Sequence, residues 1–521
     1  MLKKLFRKLN FFCSNYREIP LYFFLIFIFG VLIILRYPNL ILEPRFWGEE
    51  RLYFETFLHA NNWWVGFDAL QYPAYYNFLS RFGGFLGSIV ELNYAPLLTS
   101  LFGLFILMLP IIIIFFTNNK YWDGLKKKIV LSLFLIFSLS TGEIWLNSTN
   151  PHFIFPVVIF LILLDDNLIS ILKRRLYCFF IAIGAISGPF SLLMSPFFLY
   201  RFLKYRERTV FYYCLIFLVF GALHIIFFYI SLIHGTGNPN RLGSGEISES
   251  LSLVSRISYL LQFNFIFPIF GYFISLVFRI FIELINYGVE SIYFISILDS
   301  IPEATKNIFE NVILAGNSLK HYLNLFISII FGYIGYKIFK IADSFEKINF
   351  LGLFIYLSLV ISILSIGGHG GFRYSYLTGF IILMFFYQKY LFFRMNDKFI
   401  KSAMLLKSLL VCSIVIGVIE YYPRMLSYTP DVISTVKVPW PNWKSEIELW
   451  KKDETYTPAV WPYIKNKDLI WPERSEVYTL NLNSSQNWEE EGEHRFSTSL
   501  IQILITDENE PNDGLVRKNV K

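Results

Sequence analysis

The chain is short of charge, cysteine and histidine. Asp, Glu, Lys and Arg make up 16% of its 521 residues, and it has 4 Cys and 7 His. Cys13, Cys178, Cys214 and Cys412 have no metal-type spacing, and three of them fall in apolar runs, so neither a disulfide framework nor a zinc site is indicated. There is no P-loop, no dinucleotide fingerprint and no nucleic-acid signature. These absences exclude a P-loop nucleotide engine, a Rossmann-type redox enzyme and a nucleic-acid partner.

Apolar side chains take up the room. Hydrophobic residues form 55% of the chain, with 57 Phe and 33 Tyr, and the mean hydropathy is +0.50. Repeated apolar runs near membrane-spanning length point to an all-α polytopic membrane protein with about ten to twelve transmembrane helices. The clearer runs cover 20–36, 95–116, 129–146, 153–165, 176–200, 210–232, 261–282, 323–340, 349–366, 375–393 and 403–420. Crossings between 240 and 322 stay open, because that region mixes apolar and amphipathic sequence.

Charge then orients the segments. Lys3, Lys4, Arg7, Lys8 and Arg17 precede the first run and no small-residue cleavage site follows it, so it reads as a signal anchor with a cytoplasmic amino terminus. Lys126 to Lys128, Lys173 to Arg175, Arg201 to Arg208 and Arg394 to Lys401 are expected on the same side. That leaves 37–94 as a large first external loop with interfacial helices, and puts 147–152 and 367–374 outside with it. The run 176–200 has basic residues at both ends and Ile186-Ser187-Gly188-Pro189-Phe190 in its middle. It is either one interrupted helix or two half-length helices returning to the same side.

Residues 1–420 therefore form the transmembrane domain. The remainder carries 16 acids against 12 bases and five tryptophans between Trp440 and Trp471. It reads as a small extracytoplasmic module over 421–506 followed by a disordered tail over 507–521.

The chemistry candidates lie on the outer side. Glu49 and Glu50 follow the first run within Arg45-Phe46-Trp47-Gly48-Glu49-Glu50-Arg51-Leu52-Tyr53. A carboxylate at a membrane boundary can serve as a general base, its pKa raised by desolvation and by an acidic neighbour. Either Glu also suits a divalent cation, and acids equally favour the start of an interfacial helix. Asp68 follows Trp63-Trp64, a stretch that suits sugar stacking but reads better as an interfacial anchor, with His59 structural. Gly367-Gly368-His369-Gly370-Gly371-Phe372-Arg373-Tyr374 offers backbone amides and a guanidinium to a phosphate, or is a flexible turn. His369, Arg373 and Tyr374 are its substrate-binding candidates. Glu143, at the end of a membrane run, is a binding candidate or a structural hydrogen-bonding group. Asn150 and His152 border the same outer loop, and Asn147-Ser148-Thr149 matches a glycosylation pattern of low specificity.

With Tyr53 three residues past the acidic pair and the small-residue stretch Gly184 to Pro196, the chain resembles the GT-C type transferases that use lipid-linked sugars. These include the protein O-mannosyltransferases and the lipid A aminoarabinose transferases. Ser187 stands where those families carry Lys, and Glu49 stands in place of their Asp. The resemblance implies a bacterial inner-membrane glycosyltransferase that takes a sugar from a polyprenyl-linked donor to a glycan or lipid acceptor on the extracytoplasmic face. In it Glu49, Glu50 and Asp68 would be catalytic and Tyr53 would bind substrate, among membrane lipids. The competing readings are a polysaccharide polymerase, a lipid or glycan flippase-transporter, and a noncatalytic scaffold that would tolerate substitution of Glu49, Glu50 and Arg373. Against transport stand the lack of paired broken helices in two halves and the scarcity of charges at membrane depth.

Overall fold

The computed structural model describes residues 18–233 except 48–49, 61–62, 69–74, 118, 139–143 and 166–169, together with 333, 336, 340, 342–364, 375–394, 400–425, 443–453 and 458. The described residues are mostly helical and contain no strand. In chain order, α1 (Ile19–Arg36) and a single helical turn at Asn39–Leu42 are followed by three longer loop helices, α2 (Glu50–His59), α3 (Trp63–Asp68) and α4 (Phe78–Ser88). Next come α5 (Ala95–Phe116), α6 (Leu125–Leu133), α7 (Pro151–Leu164), α8 (Ile171–Ile186), α9 (Pro189–Leu192), α10 (Ser195–Tyr205) and α11 (Arg208–Ile233). The last are α12 (Leu353–Leu364), α13 (Ser375–Arg394), α14 (Ile400–Met425) and α15 (Trp443–Lys452).

Among the described residues, 5 helices are long and apolar enough to cross a membrane: α1, α5, α13, and the stretches Arg208–Tyr229 of α11 and Ile400–Val418 of α14. Their apolar residues run all round the helix instead of forming one stripe, as a helix between lipid and protein requires. The outer faces show this directly. Phe23, Phe24 and Phe27 of α1 and Leu218, Val219 and Ile225 of α11 are exposed, while α7 is buried along its whole length.

Side-chain contacts sort the helix ends into two groups. At one end, Tyr22 near the start of α1 lies edge-on to Phe115 near the end of α5, with centroids 5.5 Å apart. Lys128, early in α6, donates to the Phe115 carbonyl at 2.6 Å. Asn119 donates to the carbonyl of Leu164, the last residue of α7, and Gln388, late in α13, donates to that of Tyr121. At the other end, Arg36 donates to the Ile136 carbonyl at 2.8 Å and lies 3.7 Å over the Trp145 ring. Trp145 in turn donates to the Ile33 carbonyl, and the Tyr376 hydroxyl at the start of α13 to that of Leu135. The basic residues expected on one side, Lys128, Lys173 and Arg201, do gather at the first end.

Asp165 settles how the run 176–200 is folded. Its carboxylate is fully buried, pairs with Lys173 at 2.6 Å and accepts from the Tyr177 hydroxyl. Arg201, near the end of α10, donates to the carbonyls of Leu163 at 2.7 Å and Asp165 at 2.9 Å. The start of α8 and the end of α10 therefore meet at one residue, and the segment goes in and comes back. α8 has 16 residues, about 24 Å at 1.5 Å per residue, short of a hydrocarbon core of about 30 Å. Gly188, at φ 141°, makes the reversal, because only a residue without a Cβ adopts that backbone freely. Pro189 follows at the first position of α9, where its missing N–H costs nothing.

The run 129–146 needs correction only at its end. The helix begun at Leu125 passes into a π-turn over Phe134–Ser138, and Ile144 to Asn150 turn back with Leu146 at φ 49°. Ile144, Trp145 and Leu146 are buried by protein, Trp145 against Ile33 and Arg36 of α1 and Leu146 beside Gly103 of α5. The run 261–282 and the open region 240–322 lie outside the described residues. Of 323–340, only 333, 336 and 340 are described, all helical.

The two-ended arrangement makes a labelling prediction. In a cysteine-free background, cysteines replacing the exposed Lys126 and Lys204 are expected to react with a membrane-impermeant thiol reagent from one side of sealed vesicles. A cysteine replacing the exposed Lys444 is expected to react only from the other side.

Candidate functional site

The Trp47 carbonyl accepts the Arg51 N–H at 3.2 Å, which ties Trp47 to the start of α2, whose first residue is Glu50. One Glu50 oxygen accepts the Trp47 N–H at 2.8 Å. The other accepts the Ser148 N–H at 2.5 Å, from a residue 98 positions further along the chain. Glu50 thus starts a helix of the first loop and bolts that helix to the 144–150 turn. Burial pushes its carboxyl above the ordinary value of 4.5, while the amides of Trp47 and Ser148 and the hydroxyls of Ser148 and Thr99 pull it back.

Tyr53, one turn on, is buried with 8% exposure. Its backbone lies so close to α4 that a Cβ on Gly84 would come within 2.7 Å of the Tyr53 carbonyl group, and one on Gly83 within 2.3 Å of the Ser148 Cβ. Two adjacent glycines therefore let α4 slide between α2 and the 144–150 turn. Tyr53 packs the loop together and is not displayed at its surface.

α15 docks on the same loop. Arg45 and Glu446 form an ion pair at 2.7 Å with both side chains 2% exposed. Trp443 donates to the Leu92 carbonyl at 3.0 Å and lies edge-on to Phe46. Phe46, Phe54, Ala95, Trp443 and Ile447 form a small core of their own. A buried pair of this kind gives little net stability against an apolar substitute, but removing one partner strands the other charge.

A second polar group lies where the loop meets the tip of the returning helices. Asn77 caps α4 by accepting the Ser80 N–H at 3.3 Å. Its amide nitrogen lies 3.4 Å from the Thr149 carbonyl and 3.0 Å from His152 Nδ1. The Tyr75 hydroxyl is 3.3 Å from His152 Nε2. His152 is the second residue of α7, buried against Phe153 and Phe190. A Cβ on Gly188 would lie 3.3 Å from the His152 Cβ, so the tip of the returning helices touches the same ring. Ser187 accepts the Leu79 N–H at 3.3 Å, which adds a further tie to α4.

Of the residues singled out in the sequence, Glu50 and Tyr53 are brought together. Glu49, Glu143, His369, Arg373 and Tyr374 lie outside the described residues. Asp68 closes α3, and its side chain, like that of His59, lies outside them too. Trp63 and Trp64 stack at 3.8 Å and stay 49% and 64% exposed, as an interfacial anchor requires. Asn147, Ser148 and Thr149 are buried at 2%, 1% and 3%, which closes that tripeptide to a glycan in the folded chain. Among the described residues no group of three or more His, Cys, Asp or Glu could hold a metal ion. Sequence reasoning missed Asn77, Tyr75 and the Arg45–Glu446 pair. Asn77 carries a helix-cap signature ahead of Phe78, whereas nothing in the sequence links Arg45 to a residue 401 positions away.

No family profile, curated protein or solved structure matches the chain.

Two outcomes follow from this geometry. Glu446→Ala leaves the Arg45 guanidinium buried without its partner and is expected to cost about 3–5 kcal/mol where α15 meets the loop. That cost would be read as faster hydrogen exchange in peptides spanning 443–452, with the membrane helices unchanged. For Glu50, a folded pKa above the unfolded one means that the native state holds the proton more tightly. The stabilisation from that linkage is complete below the unfolded value of 4.5 and is lost as pH rises through the raised value. Thermal unfolding in detergent is expected to show wild type losing ground to Glu50→Ala as pH increases over that interval, and a gain instead would contradict the raised pKa.

Proposed function

We propose that the chain is an inner-membrane glycosyltransferase that moves a sugar from a polyprenyl-phosphate-type donor to an envelope glycan or lipid on the extracytoplasmic face, within a bundle of about ten to twelve transmembrane helices. The observation that carries this reading is that the Glu50-anchored loop and the start of α13 share one end of the bundle. Arg373 stands two residues before Ser375, where α13 begins.

Both Glu50 oxygens already accept backbone amides. The base therefore falls to Glu49, and Glu50 fixes the segment that carries it. In an inverting displacement, Glu49 takes the proton from the acceptor hydroxyl as that oxygen bonds to the anomeric carbon. The bond from that carbon to the phosphate oxygen breaks, its electron pair leaves with the phosphate, and Arg373 stabilises the departing charge. A divalent cation, if one takes part, would have Glu49 as its ligand.

The test uses full-length protein in membranes with labelled polyprenyl-phosphate sugars. Glu49→Gln is expected to lower kcat by roughly 100-fold or more, the range for loss of a general base, and Arg373→Ala to lower it comparably. Normal insertion with full transfer in both variants would overturn the site. Absence of turnover with every lipid-linked donor would overturn the enzyme class.

A further inference from the structure

The return of the run 176–200 to its starting side has an electrostatic consequence. Between 165 and 208 the sequence holds seven basic residues against three acids. A single crossing would have put Lys173 to Arg175 and Arg201 to Arg208 at opposite ends of the bundle. Because Lys173 and Arg201 instead meet at Asp165, Arg174 and Arg175 at the start of α8 join Lys204, Arg206 and Arg208 at the junction of α10 and α11. Tyr213, in the second turn of α11, feels the charges of both Arg174 and Arg201, so the two basic groups share one corner of the molecule.

The buried cations occupy the acids. Lys173 is matched by Asp165, and Arg201 by Glu207 at 3.0 Å. Arg174, Arg175, Lys204, Arg206 and Arg208 have no carboxylate partner among the described residues, and all but the half-buried Arg174 are exposed. Aromatic rings hold three of them. Lys204 lies 5.7 Å from the Tyr200 ring and 5.2 Å from that of Tyr205, Arg206 5.8 Å from Phe202 and Arg208 5.8 Å from Tyr212. A ring face steadies a cation without neutralising it or occupying all of its N–H groups. Arg208 gives its Nε–H to the Tyr212 hydroxyl at 3.1 Å, and the terminal nitrogens of its guanidinium stay open to another acceptor. Arg206, at φ 55°, makes the tight turn between α10 and α11 that keeps Lys204 and Arg208 together.

This corner lies at the level of lipid headgroups. Arg208 opens the membrane-length stretch Arg208–Tyr229. The exposed side chains further along the same helices are apolar, with Leu176 and Phe179 on one face of α8 and Leu215, Leu218 and Val219 on α11. A soluble anion would use only the cations. A molecule with an anionic head and acyl chains uses both parts of the surface, as basic pockets between membrane helices do.

We propose that the junction of α8, α10 and α11 binds an anionic phospholipid, with its phosphate among Arg174, Arg175, Lys204, Arg206 and Arg208 and its acyl chains along α8 and α11. The site is independent of the transferase reading, and its test needs no sugar donor. Full-length protein in detergent is titrated with phosphatidylglycerol or with phosphatidylcholine of identical acyl chains, and bound lipid is counted by native mass spectrometry. Wild type is expected to bind phosphatidylglycerol more tightly. Arg174→Gln with Arg175→Gln, and Arg206→Gln with Arg208→Gln, should each weaken phosphatidylglycerol about fivefold per cation removed, the worth of one basic residue beside an anionic headgroup. Phosphatidylcholine should bind these variants unchanged. Lys126→Gln with Lys127→Gln, which takes two cations from the same end but from α6, should alter neither lipid. Glycerophosphoglycerol, the headgroup without its chains, should not displace phosphatidylglycerol at equal concentration.

Equal affinity of wild type for the two lipids overturns the site. So does a loss from the α6 pair as large as from the arginine pairs, which would assign the effect to overall charge. A loss from only one arginine pair shows that the two groups do not hold one headgroup, and displacement by glycerophosphoglycerol assigns the cations to a soluble anion; either result also overturns the proposal.

Discussion

The Glu50 carboxylate is the joint on which the loop-bearing end of the molecule depends. Its two oxygens hold amides from two distant stretches, Trp47 at the head of the first loop and Ser148 in the turn between α6 and α7. Buried away from water, a carboxylate costs several kcal/mol unless such donors surround it. The fold meets that cost by having Glu50 hold both stretches at once. α4 then packs beside this joint through Gly83 and Gly84, and Asn77 at its head reaches Thr149 and His152. The first loop becomes a roof laid on the bundle, with Trp63 and Trp64 left outward at its rim.

The opposite end is built from different materials. Lys128 and Arg201 spend their donors on helix-end carbonyls that would otherwise be orphaned, while Lys173 is matched by Asp165. These cations are neither decorative nor simply dissolved in headgroups. They tie helix ends together, and at Asp165 they hold a pair of short helices whose tip touches His152 under the roof. The clasp at one end thereby sets the depth of the polar group at the other.

Much of the bundle was legible in the sequence because lipid imposes a strong, one-dimensional rule: the runs 20–36, 95–116 and 375–393 fall within about two residues of their helices, the usual boundary scatter. The bend at Gly188-Pro189 was visible as an ambiguity, and only the meeting of Lys173 and Arg201 at Asp165 resolves it. The end of the run 129–146 was misjudged, because apolar residues such as Trp145 and Leu146 that are buried by protein look the same as those facing lipid. The acidic pair was found by its oddity, but Glu50's use as a brace was not, since its second partner lies 98 residues away. Long-range pairings such as Arg45 with Glu446 leave no local pattern at all.

The brace at Glu50 can be tested without any knowledge of substrate. Hydrogen–deuterium exchange on the full chain in nanodiscs should show peptides spanning 44–55 and 144–153 protected together, and Glu50→Ala should release both to a similar degree while α5 and α13 stay protected. Exchange in which the two peptides respond independently, or in which Glu50→Ala releases only the first, would contradict a single carboxylate joining roof to bundle.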